Sequence, residues 1–244
     1  MQPDYVAALV ELHRGLPRQG PGSARFTREL LKRLPALPDK PLIADLGCGS
    51  GAAALLLARH YGSPVRAVDA SAEFIAELRT HASRARLDHL IEPICADMTS
   101  LDWPPRSVDL LWSEGAAYNL GFGEALSAWR PLLAAGGVAV VSELSWFGQM
   151  APGPARDFWA AAYPGMGSER QNVHRAGEAG YRVMFTERLP SSAWWQNYYG
   201  PLRERMRQVT ATGVMQAVIQ ETEQEMALFE KYSECYGYTF YVML

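Results

Sequence analysis

Nine residues carry the clearest chemical signal in the chain: Ile43-Ala44-Asp45-Leu46-Gly47-Cys48-Gly49-Ser50-Gly51. Glycines on alternate positions let a backbone turn tightly and approach a ligand closely. A helix starting just after them points free N–H groups and its positive end at the same place. Two further acids end the next two apolar runs, Asp69 and Asp97. A carboxylate about 20 residues past such a turn can accept both hydroxyls of a ribose. Asp97 is placed to face the amino group of an adenine. Asp45, two residues before the first glycine, would orient the turn or meet a cationic ligand. A pyrophosphate would be poorly served by that carboxylate. The spacing is also G-x-G-x-G, not the G-x-G-x-x-G of dinucleotide sites. A phosphate-free, positively charged nucleoside fits this set better than a nicotinamide dinucleotide, the rival that competitive binding would decide.

The elements that must hold these residues alternate along the chain. Apolar runs at 42–46, 65–68, 90–95, 108–112 and 138–141 read as strands, separated by helical patterns at 52–61, 73–85 and 120–133. Strands that are apolar throughout belong to a mainly parallel sheet covered on both faces, so the class is α/β and Rossmann-like. Beyond Ser142 the rhythm changes. Pro, Gly and aromatics fill 146–167, a helix is expected at 170–179 and a strand at 181–187. A cluster of Trp194, Trp195, Tyr198 and Tyr199 follows. A long charged helical stretch over 203–236, broken near Gly213, precedes a closing strand at 238–244. One domain spanning 1–244 is expected. It has an N-terminal helical cover at 1–40 and cap segments at 144–177 and 191–235.

Composition narrows the partners. The 244 residues carry 23 Lys+Arg against 26 Asp+Glu, a net charge of -3, which does not favour a polyanion. The three cysteines lack metal spacing and the five histidines form no HxxH pattern, so no metal site is expected. No secretory leader and no long apolar run is evident. The expectation is a soluble cytoplasmic protein, monomer or homodimer, with a small-molecule substrate and neither nucleic acid nor membrane as partner.

These pieces resemble the class I S-adenosylmethionine-dependent methyltransferases, of the small-molecule type with methyltransferase domains 11 and 25. The resemblance spans Pro41 to Glu143. It rests on DLGCGSG at 45–51, VDAS at 68–71, ICADM at 94–98, VDLLWSEGAAYNLGF at 108–122 and WRPLLAAGGVAVVSE at 129–143. It implies a seven-stranded sheet with the last strand antiparallel. The cofactor would be S-adenosylmethionine and the product S-adenosylhomocysteine. Asp45, Gly47 and Gly49 would lie along the methionyl part, Asp69 on the ribose and Ala70 on the adenine. Asp97 and Met98 would close over the base, with Ser113 and Glu114 near the methionyl end. The GPGS stretch at 20–23 would close over the cofactor.

Methyl transfer from a sulfonium is an in-line displacement that needs positioning more than covalent chemistry. A base is required only where the nucleophile must lose a proton. Glu114 and His174 are the expected catalytic candidates. Tyr118, Asn119, Trp146, Trp194 and Tyr198 are the expected substrate contacts. His13, His60, His81 and His89 fall on or beside outer helices and receive no role. A nucleic-acid substrate is disfavoured because SEGAAY stands where an NPPY-like string would be. The alternative function is a non-catalytic S-adenosylmethionine-binding regulator or scaffold. It would have its passage from sulfur to chamber blocked and an apolar stripe exposed on the long helix.

Overall fold

The computed structural model describes residues 3–148 and 152–244. Residues 1–2 of the expected cover and 149–151 of the expected cap lie outside the described residues. The strands are β1 (Ile43–Leu46), β2 (Val65–Asp69), β3 (Ile91–Cys95), β4 (Val108–Ser113), β5 (Leu133–Trp146), β6 (Gly167–Ser168), β7 (Val183–Arg188) and β8 (Tyr236–Met243). The helices are α1 (Pro3–His13), α2 (Ala24–Leu31), α3 (Ala52–Tyr61), α4 (Ala72–Arg84), α5 (Phe122–Trp129), α6 (Gly153–Ala162), α7 (Glu169–Glu178), α8 (Ser191–Trp194), α9 (Gly200–Met206) and α10 (Gly213–Tyr232). A π-helical turn, Trp195–Tyr199, joins α8 to α9.

The sheet runs β3-β2-β1-β4-β5-β8-β7, with the two-residue β6 paired to the far end of β5. β8 is antiparallel to both its neighbours, and β1 to β5 are parallel. Both faces are buried because successive strand residues feed opposite layers. Leu110, Trp112, Val138, Val140, Phe240 and Val242 join the core under α1 to α4 and the C-terminal helices. Leu111, Ala139, Val141, Tyr241 and Met243 join the core under α5 and α7. Each fully buried Leu, Val or Phe contributes about 1.5–3 kcal/mol of transfer free energy.

Local chemistry sets the helix starts. Ser23 and Ser71 accept from the backbone N–H of Phe26 and Phe74, capping α2 and α4. Ser168 and Gln171 form a reciprocal capping box on α7. α3 has no side-chain cap; its N-cap Gly51 sits at φ 91°. With no acceptor from the N-cap side chain, its first turn faces the end of β1, where the Ala54 amide acts on Asp45.

Three expectations change. The helix expected at 120–133 stops at Trp129, because Pro131 favours a short 3₁₀ turn at Arg130–Leu132. β5 then extends over 133–146, with a register shift opposite 108–110, where the sequence pattern marked only 138–141. The stretch expected as one cap at 144–177 is divided. α7 packs beside α5 on the second face, burying Ala176, while Asn172 donates to Ser145 Oγ at 3.0 Å. α7 belongs to the sheet's outer layer, not to a lid.

Candidate active site

The strand order reverses between β1 and β4, and open α/β sheets bind ligands in the crevice at such a point. The glycine turn is held there by backbone bonds from Gly47 and Cys48 N–H to Val68 O at 2.8 and 2.9 Å. Gly47 has φ 75°, and a Cβ on it would come within 2.1 Å of Ala116 Cβ. Any other residue there would meet both backbone strain and a clash.

Asp69 at the end of β2 accepts two backbone bonds, from Gly49 N–H on Oδ2 (2.8 Å) and from Ser71 N–H on Oδ1 (2.9 Å). They fix the carboxylate against the turn. Burial raises its pKa, and these N–H donors oppose that rise. Asp45 is 1% exposed and its Oδ2 has no hydrogen-bond partner. Burial, with Glu114 nearby, pushes it up to about 8, against the pull of the Ala54 amide and Arg18. A buried carboxylate with an orphaned oxygen is costly unless a donor or cation arrives. Asp97 is exposed and accepts from Thr99 N–H (2.8 Å) and Thr99 Oγ1 (2.7 Å) on the same oxygen, which lowers its pKa.

One cavity of about 1080 Å³ collects most of the expected residues. Its lining includes Asp45, Gly47, Gly49, Asp69, Ala70, Asp97 and Met98, and also Glu114, Tyr118, Asn119, Trp194 and Tyr198. Small-molecule sites commonly have about 300–1,000 Å³, so this space can take a nucleoside and a second molecule together. Three expected residues stand apart from the lining. Ser113 is fully buried, its hydroxyl donating to Leu46 O at 2.8 Å to tie β4 to β1. Trp146 packs its ring on Tyr236, 5.5 Å between centroids. His174 is 77% exposed on α7, 3.5 Å from Glu178. His174, expected in catalysis, Ser113, expected at the cofactor, and Trp146, expected at the substrate, therefore lie outside the cavity lining.

Glu114 lines the cavity, but its carboxylate is fully engaged. Arg18 donates to Oε2 at 2.6 Å, and Thr27 Oγ1 and Trp112 Nε1 donate to Oε1 at 3.1 and 2.9 Å. With side chains only 11% and 6% exposed, Arg18 and Glu114 form a buried ion pair. It fastens the N-terminal cover to the end of β4, so the carboxylate expected as a catalytic candidate is engaged by three donors of the protein itself. The cover supplies cavity wall as well. Gln19 Oε1 accepts from Ser50 N–H at 2.8 Å, and Gly20 and Pro21 complete the edge.

The sequence reading missed His13. It is 8% exposed and lines the cavity. Its Nδ1 faces Leu9 O at 2.8 Å, and its Nε2 faces the Tyr198 hydroxyl at 3.0 Å. A carbonyl can only accept, so Nδ1 carries the proton and Nε2 accepts from Tyr198 in the neutral ring. Burial lowers the His13 pKa, which favours that neutral form. Its place at the end of a short helix read as an outer one hid this histidine, because nothing local shows that the C-terminal turn of α1 packs against Tyr198. Glu225 was also missed. It interrupts the buried stripe of α10 formed by Val218, Thr222, Met226 and Phe229, and that interruption was the available signal.

The comparisons with known proteins agree on the architecture. Residues 43–137 match the family described as Methyltransferase domain. No curated protein matches significantly. Among solved structures, the chain is similar to YjhP of E. coli at 19% identity and TM-score 0.81, covering 97% of this chain and 98% of that one. It is similar to an S-adenosylmethionine-dependent methyltransferase from Geobacter sulfurreducens in complex with S-adenosylhomocysteine (19% identity, TM-score 0.77, coverage 100% and 98%). A third, from Thiobacillus denitrificans and also in complex with S-adenosylhomocysteine, aligns at 18% identity and TM-score 0.78, covering 100% and 98%. Fold, strand order and the matched segment together show that this chain has the class I S-adenosylmethionine-dependent methyltransferase fold.

Proposed function

We propose that the protein binds S-adenosylmethionine at the glycine turn and methylates a small organic acceptor held in the aromatic end of the same cavity. The observation that carries this reading is continuity: Asp45, Gly47 and Asp69 share one cavity with Tyr118, Trp194 and Tyr198. A scaffold would have that passage closed. The buried, orphaned Asp45 oxygen fits the cationic methionyl end of the cofactor, and Asp69 fits its ribose hydroxyls. When bound, the cofactor supplies an activated methyl on a sulfonium whose departing bond pair stays on sulfur. The protein's part is to hold the two molecules in line and exclude water, which strengthens every electrostatic contact inside. The neutral His13–Tyr198 pair offers the acceptor a hydroxyl contact whose own proton already points at His13.

The test is an acceptor screen read by S-adenosylhomocysteine release. Turnover by wild type and none by Asp69→Ala supports the reading. Cofactor binding without turnover across alcohols, phenols, amines, thiols and carbon acids would favour the scaffold instead.

A further inference from the structure

The acceptor end of the cavity holds two carboxyl groups that no cation among the described residues answers. Glu221 and Glu225 reach it from α10. The Tyr5 hydroxyl donates to Glu221, and the Tyr199 hydroxyl donates to Glu225 Oε1 at 2.6 Å. Neither carboxylate has a cationic partner among the described residues. The basic groups on the same walls are already committed. Arg18 is held by Glu114, Arg14 pairs with Glu11 on its own helix at 3.3 Å, and His13 is in its neutral form.

Around these acids stand the rings of Trp194, Tyr198 and Tyr238. Aromatic faces attract a cation when it is desolvated. An anionic acceptor would meet repulsion from Glu225 in a site of low dielectric. A purely apolar acceptor would leave that charge unanswered. Trp194 gives a second, independent sign. It is 2% exposed, lines the cavity, and its Nε1–H has no partner. A ligand oxygen brought to this edge of Trp194 would give that donor the partner it lacks.

We propose that the methyl acceptor is a small amine that also bears an oxygen, with its nitrogen received by Glu225 among the rings of Trp194, Tyr198 and Tyr238. This rests on the methyl-transfer reading and names the substrate class of that site. The chemistry balances. An ammonium has no lone pair, so one proton passes from nitrogen to the Glu225 carboxylate. The freed pair forms the N–C bond as the C–S pair stays on sulfur, and the positive charge moves from sulfur to nitrogen. Burial pushes Glu225 up to about 7, which suits a proton acceptor near neutrality.

Binding tests this without turnover. The probes are choline, a quaternary ammonium alcohol that cannot be methylated on nitrogen, and its uncharged carbon isostere 3,3-dimethyl-1-butanol. Each is titrated calorimetrically into protein saturated with S-adenosylhomocysteine. Choline should bind at least about tenfold tighter than the isostere, the scale of one desolvated cation–π contact. Glu225→Gln should cut the preference severalfold, to what the rings alone give, while S-adenosylhomocysteine affinity holds. Equal affinity for the two probes in wild type overturns the proposal, even if the variant fails to fold. A preference undiminished by Glu225→Gln also overturns it, as does binding of neither probe to protein that takes S-adenosylhomocysteine. Failure of S-adenosylhomocysteine itself to bind overturns the methyl-transfer reading instead.

Discussion

Glu114→Gln separates two roles that one carboxylate can play. Glu114 receives Arg18, Thr27 and Trp112 at once, and Arg18 and Glu114 are 11% and 6% exposed. An amide has one acceptor oxygen, so Gln must turn its NH₂ toward either the guanidinium or the Trp112 and Thr27 donors. Removing one partner of a buried pair costs about 3–5 kcal/mol when the other charge stays buried. The chain has a cheaper response, which is to let the cover lift and return Arg18 to water. The cover carries Gln19, Gly20 and Pro21 into the cavity wall, so lifting it opens the cofactor end. About 1.4–2.8 kcal/mol diverted into that opening weakens S-adenosylhomocysteine binding about ten- to a hundredfold. Arg18→Met leaves Glu114 with Trp112 and Thr27 as donors and should cost less. The double variant should lose less than the sum of the singles. Calorimetry gives the affinities, and amide hydrogen exchange over α1 and α2 reports the lifting. If Glu114→Gln keeps both affinity and protection, and loses only kcat with an altered pH profile, the carboxylate is a base and the fastening argument is wrong.

Two further predictions follow from the site. Gly47→Ala should abolish measurable cofactor binding while the chain still folds, because the new Cβ meets Ala116 in a backbone region that disfavours it; calorimetry beside circular dichroism checks both halves. Asp45 has a folded pKa of about 8 against an ordinary 3.8, so the folded chain holds a proton that the unfolded chain releases between those values, and ligand-free stability falls as pH rises through that window. Glu143 and Glu225, raised to about 8 and about 7, act in the same direction. Asp45→Asn should therefore melt higher relative to wild type at pH 8 than at pH 5, by up to roughly 4 kcal/mol in stability; an identical pH slope in both proteins would remove Asp45 from the account.

Local pattern carried the sheet and the gathering of the glycine turn with the strand-end acids in one crevice. The apolar runs announced buried parallel strands, and the acids at the ends of β1, β2 and β3 announced what the crevice could hold. These signals are legible because each lies within a few residues of its own strand end. The acceptor end was less legible because it is assembled from distant pieces. His13 on α1 meets Tyr198 across 185 positions, and Arg18 meets Glu114 across 96. No short-range spacing encodes either pair. His174 misled in the opposite way, since a histidine's chemistry drew attention to a helix face that turned out to be solvent-exposed. The resemblance placed Ser113 beside the cofactor, yet its position on β4 turns its hydroxyl into the sheet, where it serves β1.

The central claim is that the cavity holds the nucleoside at Asp69 and directs the sulfur toward the aromatic end. A crystal structure of the protein with S-adenosylhomocysteine tests this most directly. The account predicts both ribose hydroxyls on the Asp69 carboxylate, the ligand ammonium beside Asp45, and the thioether facing Tyr118, Trp194 and Tyr198. A ligand bound with its adenine among those rings, or with its ribose away from Asp69, would contradict it.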